Sequence, residues 1–249
     1  MRVIIALFVI LFFLVLGCTA KKGDEPSKYP TQPDSMDIKL VNNQPMVAPS
    51  QNIQAYVAYK KGTKLLDEYK LDEAEKYLKK AIQLDPLFVD AMDHLGLVYR
   101  RQNRLDDAKE IYLKSITIND KNLVSYQNLA IVYRLQNKLD EAFELYIKMI
   151  RIDENNPEPY YGIGELFFIT ADYEKALAFF DKALELYVDQ NSPLVYDVFC
   201  YKYSIYYKTK NYDEALKYLE VIKKNDPNDT IIETLIKEIK AIKYNKNKN

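Results

Sequence analysis

The sequence predicts an all-α fold, built as a stacked array of helix pairs. Three observations predict it. The first is a period. Leu71-Asp72-Glu73-Ala74 returns as Leu105-Asp106-Asp107-Ala108 and as Leu139-Asp140-Glu141-Ala142, then as Tyr173-Glu174-Lys175-Ala176 and Tyr212-Asp213-Glu214-Ala215. Ala74, Ala108, Ala142 and Ala176 lie 34 residues apart, and Ala215 follows after 39. A fixed spacing of this size marks repeats that stack on one another, because one helix pair cannot bury its apolar face alone. The second observation is composition: 6 Gly and 10 Pro in 249 residues, with 29% charged residues, suit helices. The third is spacing. Leu95, Val98, Tyr99 and Gln102 recur at helical intervals, as do Ala108, Ile111, Tyr112 and Ser115.

Charge is balanced, with Lys+Arg 35 against Asp+Glu 36, so the chain has no bulk basic field for nucleic acid and no acidic tail. Of the two cysteines, Cys18 lies in a targeting segment, which leaves Cys200 as a half of no disulfide framework. His94 is the one histidine, and that weakens metal and acid–base chemistry.

Residues 1–17 read as a targeting segment. Arg2 supplies positive charge, and Val3 to Leu16 is an apolar run of 14 residues. A spanning helix needs about 20, so the run is short for a permanent anchor and suits a signal peptide. Val15-Leu16-Gly17-Cys18 resembles the lipobox of bacterial lipoproteins, with a small residue before the cysteine. The resemblance implies that Cys18 becomes a lipidated N-terminus, carrying a diacylglycerol and an added acyl chain, and two chains make membrane binding stable. The inner-membrane retention rule of that family calls for Asp after the cysteine. Thr19 stands there instead, which implies the outer membrane.

Residues 18–50 follow as a tether. Lys21-Lys22-Gly23-Asp24-Glu25-Pro26 and Pro30, Pro33, Pro45 and Pro49 leave neither a helical nor a strand period. A flexible coil of this length reaches roughly 30 Å.

The array covers residues 51–229, in repeats near 55–88, 89–122, 123–156, 157–190 and 196–229. Position 8 of the repeat is small where two helices touch: Gly62, Gly96, Ala130 and Gly164. Position 11 is Leu65, Tyr99, Tyr133, Phe167 and Tyr206, and position 20 is alanine in all five. Position 24 is Leu78, Tyr112, Tyr146, Phe180 and Leu219. Asn103 and Asn137 fall between the two helices, where a residue tolerant of the left-handed region can end the first. Acidic residues open each second helix and suit its positive dipole end. This pattern resembles the tetratricopeptide signature W-x2-L-G-x2-Y…A-x3-F…P, with its closing proline kept as Pro86 and Pro227. The resemblance implies a right-handed α-solenoid of about five helix-turn-helix repeats plus a capping helix.

Two departures stand out. Five extra residues around Asn191-Ser192-Pro193-Leu194-Val195 precede the fifth repeat, with Ser192 as an expected N-cap and Pro193 at the first helical position. That repeat also places Tyr203 at the small position and Lys202 at the usual Leu position, which predicts a splayed pair or a shifted register. Residues 230–249 supply the cap and a polar tail. Thr230-Ile231-Ile232-Glu233 reads as a capping box, and Ile232, Leu235, Ile239 and Ile242 share one face.

No Ser/His/Asp order, HExxH, P-loop or CxxC occurs, so the sequence predicts neither an enzyme nor a cofactor. Cys200 reads as a small buried hydrophobe. In the tetratricopeptide family the first helices line a concave groove. That resemblance puts Tyr59, Asp93, Leu97, Arg100, Arg101, Gln127, Ile131, Arg134, Tyr161, Glu165 and Phe168 on its wall. The carboxylate clamp of the family is absent, since Tyr59, Thr63, His94, Val124 and Asn128 occupy its positions. The expected function is an envelope lipoprotein that scaffolds a protein assembly through this groove, with a lipid-anchored membrane contact and no nucleic acid. A second reading is a small-ligand or glycan-binding lipoprotein that feeds a transporter, with Tyr59, Tyr161, Phe168 and Tyr207 forming an aromatic pocket.

Overall fold

The computed structural model describes residues 50–246 except Asp226 and Asn228. The signal peptide, Cys18, nearly all of the tether and the last three residues of the polar tail lie outside the described residues. Among the described residues the fold is all-α. Eleven helices follow in sequence: α1 Ile53–Asp67, α2 Leu71–Leu84, α3 Val89–Arg101, α4 Leu105–Ile118, α5 Leu123–Leu135, α6 Leu139–Ile152, α7 Pro157–Ile169, α8 Tyr173–Asp189, α9 Val195–Lys208, α10 Tyr212–Asn225 and α11 Thr230–Lys246. They form five helix-turn-helix pairs and a last single helix. The described residues divide into two compact units, 50–166 and 167–246.

The five periodic alanines are all 0% exposed, so position 20 is buried in every repeat. In the 50–166 unit, Leu65, Leu78, Leu95, Val98, Tyr112, Leu129 and Val132 join one core. From α1 to α6 each helix touches the next along the chain, and the first helices touch one another, α1 on α3 and α3 on α5. Side chains repeat the same bond between repeats. Gln102 donates to Asp72 at 3.0 Å, and Gln136, 34 positions on, donates to Asp106 at 3.1 Å.

The turn inside each pair is one structure used five times. Tyr69, Asn103, Asn137, Ala171 and Lys210, all at position 15, have φ between 57° and 61°. Each N–H bonds the carbonyl three residues back, and the next N–H bonds the carbonyl five back, as Arg104 does to Tyr99 at 2.8 Å. This doubled bond is the Schellman closure of a helix end. Asn is at ease there, and Tyr, Ala and Lys pay a steric cost. Ala171→Gly and Lys210→Gly are each expected to stabilise the fold by roughly 0.5–1 kcal/mol, read as a raised denaturant midpoint.

The fifth pair keeps this turn, with Lys210 in the same place and φ, so its second helix is in register. Its misfit is absorbed by side chains. Lys202 is buried, bonds Asp181 and lies 5.0 Å from the Tyr218 ring centroid. Burial alone would lower the Lys202 pKa, but the Asp181 carboxylate and Tyr218 phenol more than offset this and raise it. Of the extra residues, three lengthen α8 to 17 residues against 14 in α6. Ser192 accepts the Leu194 N–H at 3.2 Å in a turn, and α9 starts at Val195, two residues later than expected.

In the 167–246 unit, α11 lays Ile232, Leu235, Ile236 and Ile239 on Tyr203, Ala215 and Leu219. Ile242 is half-buried. The cap of α11 is Asp229 rather than Thr230. The Asp229 carboxylate accepts the N–H of Ile231 at 2.8 Å and of Ile232 at 3.3 Å. Glu233 turns away from the expected capping box to pair with Lys237 at 3.1 Å.

Candidate functional site

The first helices α1, α3 and α5 form one wall of the 50–166 unit, and the expected groove residues divide there into three kinds. Some are consumed by the fold. Asp93 is 6% exposed and bonds inward: Ser125 Oγ donates to it at 2.5 Å and Asn122 Nδ2 at 2.7 Å. The Ser125 and Ser115 hydroxyls lie 2.8 Å apart. Asn122 also caps α5 by accepting the Val124 N–H at 3.1 Å. Asp93 therefore closes a buried polar network joining α3, α4 and α5. Burial pushes its pKa up, against the lowering effect of the Ser125, Asn122 and Ser115 hydrogen bonds.

Tyr59 is half-buried in an aromatic cluster, 4.9 Å from the Phe88 ring and edge-on to His94 at 5.3 Å. Burial pushes the Tyr59 phenol up, and Asp90 adds to the effect. His94 Nδ1 lies 2.8 Å from the Asp90 carbonyl, which assigns that nitrogen as the donor.

A second group is tied across repeats. Arg134 pairs with Glu165 at 2.6 Å, with side chains 23% and 12% exposed. Gln127 donates to Glu158 at 2.7 Å. Arg101 donates to the Leu66 carbonyl at 3.2 Å and stands over the Tyr69 ring at 5.6 Å. These links brace neighbouring first helices and match acids to bases within the wall.

A third group remains at the surface of the wall. Leu97, Ile131 and Arg100 are half-buried, and Val124 and Leu135 are 48% and 55% exposed. Tyr161 is half-buried on α7. Phe168 belongs to the 167–246 unit, where it meets Tyr201 edge-on at 5.1 Å and Lys208 lies 5.9 Å from its centroid. Tyr207 of that unit packs on Tyr203 at 6.0 Å and Tyr212 at 6.0 Å. Cys200 is half-buried rather than buried.

Beneath the wall lie two tyrosines at the same repeat position, each over a glycine. A Cβ on Gly96 would come 2.4 Å from Tyr112 Cζ, and a Cβ on Gly162 would come 2.3 Å from Tyr146 Cζ. Both rings are almost fully buried, and burial pushes both phenols up. The Tyr112 hydroxyl is buried with no hydrogen-bond partner among the described residues. The sequence marked Gly96 as a helix contact but not Gly162, which serves the neighbouring repeat.

Tetratricopeptide repeat family models match residues 55–86, 88–155, 157–187 and 204–229. No curated protein matches the chain. Several solved structures are similar. The chain is 26% identical to MamA over 55% of this chain and 80% of that one, with a TM-score of 0.51. A tetratricopeptide repeat protein from Parabacteroides merdae is 24% identical over 75% of this chain and 72% of that one, at a TM-score of 0.60. YrrB, described as a tetratricopeptide repeat protein with an unusual peptide-binding site, is 20% identical over 74% and 92%, at 0.52. The matched repeats cover more than half of the sequence and coincide with the helix pairs. The chain belongs to the tetratricopeptide repeat proteins.

Proposed function

We infer that this chain is a lipid-anchored envelope scaffold that holds a segment of a protein partner on the first-helix wall of its array. The observation that carries the binding half is the third group of wall residues. Val124 and Leu135 of α5 are apolar and exposed, and Leu97 and Ile131, which the family resemblance puts on the groove wall, are half-exposed. Apolar surface left open beside fixed charges suits a bound segment with apolar anchors and matched polar groups. The anchoring half rests on Val15-Leu16-Gly17-Cys18 and the proline-spaced tether. Among the described residues no helix is long and apolar enough to cross a membrane. The outer membrane is the proposed location, and assembly of envelope or surface machinery the proposed setting.

One experiment tests both halves. The full chain is crosslinked and captured from native membranes beside Val124→Glu/Leu135→Glu and Cys18→Ala. Both wall positions are exposed, so the double variant should melt like wild type. The expected result is one partner captured by wild type and lost from the wall variant, with labelled palmitate and membrane fractionation lost only in Cys18→Ala. A partner that survives the wall variant would place binding elsewhere. Membrane attachment that survives Cys18→Ala would remove the lipid anchor.

A further inference from the structure

The first helix of the array leaves open a face that later repeats bury. In α1 that face runs through Ile53, Val57, Lys61 and Lys64, all exposed. Val57 is 61% exposed, whereas its counterparts Ala91, Ser125 and Val198 are 0% exposed. Lys61 stands where Leu95, Leu129 and Ile163 are buried, and Lys64 where Val98, Val132 and Ile205 are buried. The difference has a plain cause. The later first helices α3, α5 and α9 each pack on the second helix of the repeat before, and among the described residues α1 follows no helix. The open end of an array needs a soluble face, and lysine supplies one. Solubility does not call for Ile53, 78% exposed, and Val57 on the same stripe.

The charge at this end is one-sided. Lys61 Nζ lies 4.3 Å from the Tyr77 ring centroid, so α2 joins the face. The Tyr77 phenol is drawn below the ordinary tyrosine range, by Lys61 first and more weakly by Lys76 and Lys80. Of the acids in and between α1 and α2, Glu68 pairs with Lys70, Glu75 with Lys79 and Arg104, and Asp72 accepts from Gln102. Asp67 and Glu73 remain, against Lys60, Lys61, Lys64, Lys76 and Lys80. The last helix, α11, mixes both signs instead: Lys237 pairs with Glu233 at 3.1 Å, and Glu238 is exposed as well. The sequence also says what lies near α1. Residues 18–49 lead from Cys18 almost directly into it. A flexible coil of that length reaches roughly 30 Å, so a bilayer that holds Cys18 is within reach of this face.

We propose that the α1–α2 end of the array docks on the anionic phospholipid surface of the membrane that holds the anchor, with Ile53 and Val57 among the headgroups and the five lysines on lipid phosphates. This rests on the lipid anchor at Cys18. Helices that carry lysine beside apolar residues lie in the bilayer interface in this manner, with the lysine stems stretched along the headgroups. Each lysine close to an anionic surface is worth roughly a fivefold gain in docking. The tether keeps the 50–166 unit near the bilayer, and this face sets which way the unit is turned.

The chain has no tryptophan, so Ile53→Trp supplies a single fluorescent reporter. The full chain bearing it is recovered in detergent from the membranes of the cells that make it. It is then placed in vesicles of phosphatidylcholine, or of phosphatidylcholine and phosphatidylglycerol in equal parts, each with brominated phosphatidylcholine as the quencher. Leu113→Trp, at an exposed position on α4, is the control. Both proteins should float with both kinds of vesicle. Ile53→Trp emission should be quenched only where phosphatidylglycerol is present, and Leu113→Trp in neither. Lys60→Gln/Lys61→Gln/Lys64→Gln should lower the docking equilibrium roughly a hundredfold, and Lys76→Gln/Lys80→Gln roughly twentyfold. All five lysines are exposed, so both variants should melt like wild type. Equal quenching in the two kinds of vesicle, quenching unchanged in the lysine variants, or quenching in neither vesicle would overturn the docking face and leave the anchor standing. Emission shifted to the blue without quenching, and growing with protein density, would put a second copy on the face and also overturn it. A chain that floats with neither kind of vesicle would bring down the lipid anchor, and the docking face with it.

Discussion

Gly96→Ala is expected to destabilise the protein by about 1–2 kcal/mol, even though alanine favours a helix over glycine. Two effects oppose each other. The helix gains about 1 kcal/mol from the lost glycine. Against this, the new Cβ would sit 2.4 Å from Tyr112 Cζ and 2.5 Å from Cε1. The ring is 0% exposed and has no room to retreat, so α3 and α4 must part or the ring must leave its rotamer. Overpacking of this kind costs roughly 1–3 kcal/mol or more, and here the contact is with ring atoms rather than a flexible tip. The first repeat supplies the internal control. Gly62 faces Leu78, whose nearest atom would lie 2.8 Å away, so Gly62→Ala should cost less. In a double-mutant cycle, Tyr112→Leu should remove most of the penalty of Gly96→Ala. Additive losses in urea unfolding would show that the ring is not what Gly96 accommodates.

Asp93→Ala should cost a further size class, about 2–3 kcal/mol, because it leaves Asn122, Ser125 and Ser115 with polar groups turned to an empty space. Its pH signature separates it from an ordinary salt bridge. Burial raises the Asp93 pKa in the folded protein, so the folded state binds the proton more tightly than the unfolded chain. The stability it contributes is therefore fully present below the ordinary carboxylate pKa, near 4, and is lost as pH rises through the folded value. The stability difference between wild type and Asp93→Asn should fall as pH rises above about 4. A difference that rises instead would mean that the hydrogen bonds outweigh burial and the carboxylate is held charged.

How much of this could be read in advance follows from what each residue depends on. The alanine period depends on packing at one recurring spot, so it shows in the chain and returns as five fully buried alanines. The turns were legible only at Asn103 and Asn137, where the residue itself tolerates a positive φ. Tyr69, Ala171 and Lys210 are held there by two backbone bonds, and no side-chain preference announces that. Asp93 was expected on the groove wall from the family resemblance, and it turns inward instead. Its partners, Ser115, Asn122 and Ser125, come from two other helices, and none is unusual where it stands. Lys202 looked like a misfit because its counterpart Asp181 lies 21 residues away and Tyr218 on yet another helix. For Asp93 and Lys202 the linear pattern reports the recurring residue and is silent on partners that come from separate helices.

The succession of contacts from α1 to α6, each helix on the next, with α1 on α3 and α3 on α5, bears on how quickly the 50–166 unit assembles. Every contact closes a short loop, so little chain entropy is spent before native contacts repay it. Folding of this unit should be fast, and it can begin at any pair that has formed its turn. Its steps are the additions of neighbouring pairs, and a weak pair slows growth at one point without blocking the others.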